Sequence, residues 1–234
     1  MRLIAFDTST EWCTAALWLD GAVTIREVHA GQRHSELLVP MVSELCAEAG
    51  LKLQQLDGLA YGMGPGSFTG LRIACGVAQG LAFGAGLQVL GVPTLEALAE
   101  EGRMATGSEH ILACLDARMN EVYAGIYDYQ DGQWQCQNGP VVCPPAHVLA
   151  PDREGYVGVG SGFAAYPDLA KLADAPIQLA RVHPDLFPHA RAIAQLAAPR
   201  FARGEGGPAE TAEPLYIRDK VALKISERKA KAQI

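Results

Sequence analysis

Between an apolar run and an alanine-rich stretch the chain reads Gly62-Met63-Gly64-Pro65-Gly66-Ser67-Phe68-Thr69-Gly70-Leu71-Arg72. Glycines at this density accept positive φ and let backbones approach one another closely. Ser67 is placed to cap a helix, its side-chain oxygen taking an otherwise unpaired amide. The run therefore predicts a strand that turns sharply into a helix, the repeating unit of α/β folds. It lacks the Gly-Lys-Ser/Thr ending of a Walker A loop and is not a nucleophile elbow. Its helix start is either an anion-binding geometry or a plain tight turn, and both readings stand at this point.

The order of elements around that turn occurs twice. Short apolar runs at residues 2–6, 13–19 and 22–29 read as three strands, with Asp20-Gly21 as a hairpin turn. A helical pattern over 35–49 follows, built on Leu37, Leu38, Met41, Val42 and Leu45, with Gly50 closing it and Pro40 expected to kink or shorten it. Then come a strand at 58–63, a helix at 67–84, a strand at 88–92 and a helix after Pro93-Thr94. The second half reads strands at 110–116, 121–128 and 134–142, with Asp131-Gly132 as the hairpin turn. A short helix at 146–149, a strand at 156–159, a helix at 163–172, a strand at 177–179 and a helix at 189–201 complete it. A hairpin-linked trio followed by strand–helix units implies a mixed sheet with helices packed on it. Two such halves predict a duplicated, two-lobed α/β fold of the actin-like (ASKHA, ribonuclease H-like) class with a cleft between the lobes. The division is expected in 102–108, giving an N-terminal lobe of 1–103 and a C-terminal lobe of 104–234.

Composition narrows the function classes. The 234 residues carry a formal net charge of −7, so contact with nucleic acid has to be local or run through a partner. The tail is the exception, with Arg218, Lys220, Lys224, Arg228, Lys229 and Lys231 diluted only by Asp219 and Glu227; it is either a solvated end or a contact to RNA or an acidic partner. The opening Met1-Arg2-Leu3-Ile4-Ala5-Phe6-Asp7 is too short for a signal-peptide core. The weakly polar stretch 73–92 carries Gln79 and Gln88 and reads as buried helix and strand. Six cysteines without a C-x-x-C pair then imply reduced thiols and a cytoplasmic protein. Cys136, Cys143 and His147 are the one conceivable zinc set, short of a fourth ligand.

Asp7 and Asp116 stand at matching places, each ending the first strand of its half. In a duplicated nucleotide-binding fold such carboxylates face the cleft and orient a metal-bound water or phosphate, and Thr8, Ser9 and Thr10 could donate to phosphate; the alternative is a simple turn. In the helix after the glycine run, Gly70, Ala74, Ala78 and Ala82 recur every fourth residue, and Gly76, Gly80 and Gly84 make a second row. Such rows permit close helix packing, within the chain or against another chain. No paired-histidine motif and no Ser/His/Asp set is present, so no catalytic residue, metal site or cofactor site is assigned.

These runs together resemble the TsaB (YeaZ) family. The matching stretches are Ile4-Ala5-Phe6-Asp7-Thr8-Ser9-Thr10, His34-Ser35-Glu36-Leu37-Leu38-Val39-Pro40, the run from Gly64 to Arg72, Val92-Pro93-Thr94-Leu95-Glu96-Ala97-Leu98, Asp116-Ala117-Arg118-Met119-Asn120-Glu121-Val122-Tyr123 and Pro214-Leu215-Tyr216-Ile217-Arg218. The resemblance implies a non-catalytic paralogue of TsaD, supporting threonylcarbamoyl modification of adenosine 37 in tRNAs that read ANN codons. It implies pairing with TsaD through two N-lobe helices, self-association through the same surface, and a further complex with the ATPase TsaE, with tRNA met through the complex. The expected partner interface comprises Leu37, Leu38, Met41, Leu45, Leu71, Ala74, Cys75, Ala78 and Ala82. TsaD carries its metal-binding histidine pair shortly after the strand that corresponds to 88–92; this chain has Pro93-Thr94-Leu95-Glu96-Ala97-Leu98 there. The alternatives are a nucleotide-dependent transferase or metallopeptidase-like enzyme of the same fold, supported by Asp7 and Asp116, and a sugar kinase, for which no catalytic base is evident.

Overall fold

The computed structural model describes residues 1–174 and 178–218. Strands β1 (Arg2–Asp7), β2 (Trp12–Leu19) and β3 (Ala22–His29) form an antiparallel meander. Helix α1 (His34–Glu48), β4 (Gly58–Gly64), α2 (Phe68–Ala85), β5 (Val89–Pro93) and α3 (Thr94–Thr106) follow, with β4 parallel to β1 and β5 parallel to β4. The second half repeats the plan with β6 (His110–Asp116), β7 (Val122–Gln130), β8 (Gln133–Cys143), β9 (Val157–Val159), α4 (Ser161–Ala165), β10 (Arg181–His183) and α5 (Ala190–Ala202). The two five-stranded sheets have the same order, β3-β2-β1-β4-β5 and β8-β7-β6-β9-β10. This is the duplicated α/β, actin-like fold that the sequence predicts.

Strand alternation divides the N-lobe sheet into two unlike faces. Ile4, Phe6, Leu17, Leu59 and Tyr61 point outward into a core with Leu38, Met41, Leu45, Ala74 and Ala78 of α1 and α2. Each large side chain so buried contributes on the order of 2 kcal/mol. The centre of the opposite face is alanine: Ala5, Ala16 and Ala60, all fully buried, pack against Ala190, Ile193, Ala194 and Ala197 of α5, with Leu90, Val92, Trp18 and Ile25 around them.

That packing corrects the expected division of the chain. Helix α5, from the C-terminal half, covers the N-lobe sheet. Helix α3, from the N-terminal half, places Leu95, Leu98 and Ala99 in the C-lobe core with Ile111, Ala113 and Val159. A boundary at Arg103 cuts the sequence where the chain crosses but does not separate the two packed bodies. The two exchanged helices touch, and Arg191 on α5 donates to the buried carboxylate of Glu101 on α3 through both Nε and Nη2.

Local differences have local causes. Helix α1 runs through Pro40, which is exposed near its start, where the missing amide removes one bond on the solvent side. The helix expected over 163–172 is broken at Pro167 into α4 and a 3-10 stretch, Pro167–Asp174. The strand expected at 177–179 forms instead at Arg181–His183, in register with β9 (Arg181 opposite Val157); Ile177 lies outside the described residues. No helix among the described residues is long and apolar enough to cross a membrane.

Replacing Arg191 by Met leaves Glu101 as an uncompensated buried carboxylate. The expected loss is about 3 kcal/mol in denaturant unfolding, and the double variant with Glu101→Gln recovers most of it.

Candidate functional site

The two lobes enclose a cleft of about 1030 Å³. Ser9, Thr10 and Glu11 of the β1–β2 turn, His34 and residues 65–71 form its N-lobe side. Residues 115–119, Tyr123 and Ser161 form its C-lobe side, and residues 215–218 also line it.

The turn after β1 is locked onto the start of α2. The Thr8 hydroxyl donates to Gly70 O at 2.7 Å, and the Ser67 amide donates to Ser9 O at 2.7 Å. A Cβ on Gly70 would overlap the Thr8 carbonyl oxygen, and one on Gly66 would come within 2.6 Å of Ser9 O. Gly64 holds φ at +118°, a conformation L side chains rarely adopt. Glycine is thus required here by close approach and by backbone conformation. Ser67 caps α2, its Oγ accepting from the Gly70 amide.

The matching carboxylates have different fates. Asp7 is 1% exposed and does not line the cleft, which corrects the expectation that it faces it. Its Oδ1 accepts from the Ser9 amide (2.9 Å) and the Ser9 hydroxyl (2.7 Å). Its Oδ2 has no hydrogen-bond partner among the described residues and is packed against Gly62 beside Ile193. Burial pushes this carboxyl up to about 6, the two Ser9 bonds partly opposing the rise. Asp116 does line the cleft, accepting from the Arg118 amide at 2.8 Å and pairing with the Arg118 guanidinium at 3.1 Å. The same guanidinium reaches Glu11 of the other lobe at 2.7 Å. The hydroxyls of Thr8 and Ser9, which a phosphate loop would offer, are already engaged inside the turn.

Residues 93–98 do packing work. Thr94 Oγ1 accepts from the Gly64 amide at 3.0 Å, tying α3 to the glycine turn. Leu95 and Leu98 fill the C-lobe core, Ala97 the N-lobe core. Burial raises the Glu96 carboxyl above its usual range, and Arg200 partly offsets this. Among the described residues no three His, Cys, Asp or Glu side chains converge on a possible metal position; Cys136, Cys143 and His147 do not come together as a zinc set.

Comparison with known proteins accords with this fold. Residues 27–224 match the family model of TsaD, tRNA N6-adenosine threonylcarbamoyltransferase. The tRNA threonylcarbamoyladenosine biosynthesis protein TsaB of Escherichia coli (strain K12) is 40% identical, over 96% of this chain and 97% of that one. The chain belongs to the TsaB (YeaZ) family. The Haemophilus influenzae TsaB is 36% identical over 96% of both chains. Among solved structures, YeaZ from Pseudomonas aeruginosa is similar at a TM-score of 0.84 and 40% identity, covering 92% of this chain and 99% of that one.

Within this TsaB-family fold the expected interface residues lie mostly inside. Leu38, Met41, Leu45, Leu71, Ala74, Cys75, Ala78 and Ala82 are buried in their own lobe, none more than 7% exposed; Leu37 is half-buried. The small-residue row chosen from sequence faces the sheet, and the outward face of α2 carries the other row, Gly76, Gly80 and Gly84, beside Phe83. Sequence reading also missed the cluster at the cleft mouth made by Phe68, Arg72 and Tyr216. Residues 68 and 216 are far apart in sequence, and an aromatic–arginine alternation within one segment, the usual cue, is absent. In the tail, Arg218 is described: it pairs with Glu121 at 2.6 Å. Lys220, Lys224, Arg228, Lys229 and Lys231 lie outside the described residues.

Asp7 gives a pH test. Its folded-state pKa, about 6, is above the unfolded value of 3.8. Folding is therefore favoured most below about pH 4, and that advantage is lost as pH rises through about 6, on the order of 3 kcal/mol in all. Thermal melts of Asp7→Asn should show a gain over wild type that is small near pH 4 and grows to its full size above about pH 6. A gain independent of pH would refute the burial argument.

Proposed function

We propose that this chain is a non-catalytic subunit needed for threonylcarbamoyl modification of adenosine 37 in tRNAs reading ANN codons, and that it acts by binding and activating TsaD. Relatives of the same length are tRNA threonylcarbamoyladenosine biosynthesis proteins, and the matching family model is that of the transferase. The observation that carries the reading is the outward face of α2. Gly76, Gly80 and Gly84 have nothing within 4 Å of where a Cβ would sit, and Phe83 is 77% exposed next to them. Glycine within a helix costs about 1 kcal/mol against alanine, and packing among the described residues gives no reason for it here. A bare helix face beside an exposed aromatic fits a second helix from another chain, with the ring as anchor. Beside it Gly76, Gln79, Gly80, Phe83, Ala209 and Glu210 form a shallow groove of about 530 Å³.

The closed turn supports the non-catalytic part of the reading, because the Thr8 and Ser9 hydroxyls donate to groups of the chain itself. TsaE joins the pair as a third component, the same α2 face serves homodimers when TsaD is absent, and tRNA is engaged within the complex.

The test is co-purification and reconstitution. The wild-type chain co-elutes with TsaD and, with TsaE and a threonylcarbamoyl donor, restores modification of unmodified tRNA. Gly80→Arg, on the exposed row, should abolish co-elution while leaving the melting curve nearly unchanged. Unaltered co-elution would move the interface elsewhere, and full modification without this chain would remove the activating role.

A further inference from the structure

At the cleft mouth three large apolar side chains stand exposed: Phe68 (42%), Tyr216 (44%) and Met119 (59%). Phe68 opens α2 and Tyr216 lies on the returning C-terminal segment, yet their rings are 5.4 Å apart and tilted by 35°. Arg72 is held between them. Its guanidinium lies 3.6 Å above the Phe68 ring centroid, and its Nε donates to the Tyr216 hydroxyl at 2.9 Å. Arg118 and Arg218 are matched by Glu11, Asp116 and Glu121. Arg72 is held by aromatic rings and has no carboxylate partner among the described residues, so its remaining N–H donors are oriented and its charge is uncompensated. Met119 sits in a run of three left-handed residues, with φ of 59°, 57° and 60° at Arg118, Met119 and Asn120. L-residues adopt that conformation at a cost of roughly 1–2 kcal/mol each, and a chain that keeps it is holding Met119 in a set position on the cleft.

We propose that Phe68, Tyr216 and Arg72 form a binding platform for single-stranded RNA, a base stacking on the ring surface that Arg72 leaves open while the adjoining phosphate meets the Arg72 guanidinium. Exposed aromatic faces with a fixed cation are the recognition chemistry of unpaired nucleotides, since every base has a π-face. The chain as a whole carries −7, so a contact to RNA has to be local, and this cluster supplies a positive charge with no carboxylate paired to it among the described residues. Met119 lines the same cleft and offers an apolar surface to the base. The inference rests on the reading that the chain serves RNA modification and adds that this chain itself touches the RNA.

The experiment is fluorescence anisotropy with the full chain and a labelled single-stranded oligoadenylate of about 12 nucleotides, within the range of known single-strand site sizes. Phe68→Ala with Tyr216→Ala should weaken binding about tenfold or more, whereas Phe68→Tyr, which keeps the ring and leaves the Arg72–Tyr216 hydrogen bond in place, stays close to wild type. Arg72→Gln should reduce the magnitude of the log–log salt slope by about 0.7, one phosphate contact on a single strand. Wild-type affinity in the double alanine variant, equal binding of a duplex of the same length, or displacement by free AMP as effective per nucleotide as by the oligomer would each overturn the proposal. Both alanine positions are surface-exposed, and a melting curve confirms folding. The two readings fail separately. A chain that co-elutes with TsaD but binds no RNA loses only this platform, and one that binds RNA through these rings but restores no modification loses only the proposed function.

Discussion

Ala5, Ala16 and Ala60 leave one face of the N-lobe sheet almost flat, and α5 lies directly on it with alanines of its own. Methyl against methyl allows the closest approach that side chains other than glycine permit, at the packing density of a protein interior. The consequence is architectural. With α5 seated on the first sheet and α3 on the second, the two helices form a shared middle layer joined by Arg191 and Glu101. The cleft lies beyond this layer, where Arg118 reaches across it to Glu11. Larger side chains at the three alanines would push α5 away and with it the C-lobe.

The second constraint is the contact between the β1–β2 turn and the start of α2. Two glycines allow it, Thr8 and Ser67 hydrogen-bond across it, and Thr94 brings α3 to the same place. Here the polar groups of one loop are satisfied by the backbone of the other, and Asp7 is sealed behind them with Ser9 as its partner. The turn is thereby closed by bonds within the chain.

Much of the fold was legible because its cues are local. Asp20-Gly21 and Asp131-Gly132 mark hairpins whatever surrounds them, Ser67 caps a helix by its own side chain, and the repeated order of elements implied two like sheets. The illegible parts depend on what lies opposite. Two rows of small residues at every fourth position run along α2, and periodicity finds both; only the sheet decides that Ala74, Ala78 and Ala82 face in and that Gly76, Gly80 and Gly84 face out. Likewise, nothing near residue 190 says that its helix belongs to strands at the other end of the chain. Asp7 looked like a cleft residue because its place in the strand is right. Its side chain turned away because Gly62 leaves a space behind the strand that a carboxylate oxygen fills.

The exchange of helices also sets an order in time. A ribosome releases β1 to β5 well before α5, so the alanine face of the first sheet emerges with nothing to cover it until residues 190–202 have been made. Small side chains make that wait less hazardous, because an alanine surface is a poor nucleus for aggregation compared with the leucines and phenylalanines on the opposite face, which α1 and α2 cover as soon as they appear. The centre of the face that waits longest for its cover is thus built from the residues that can best do without it.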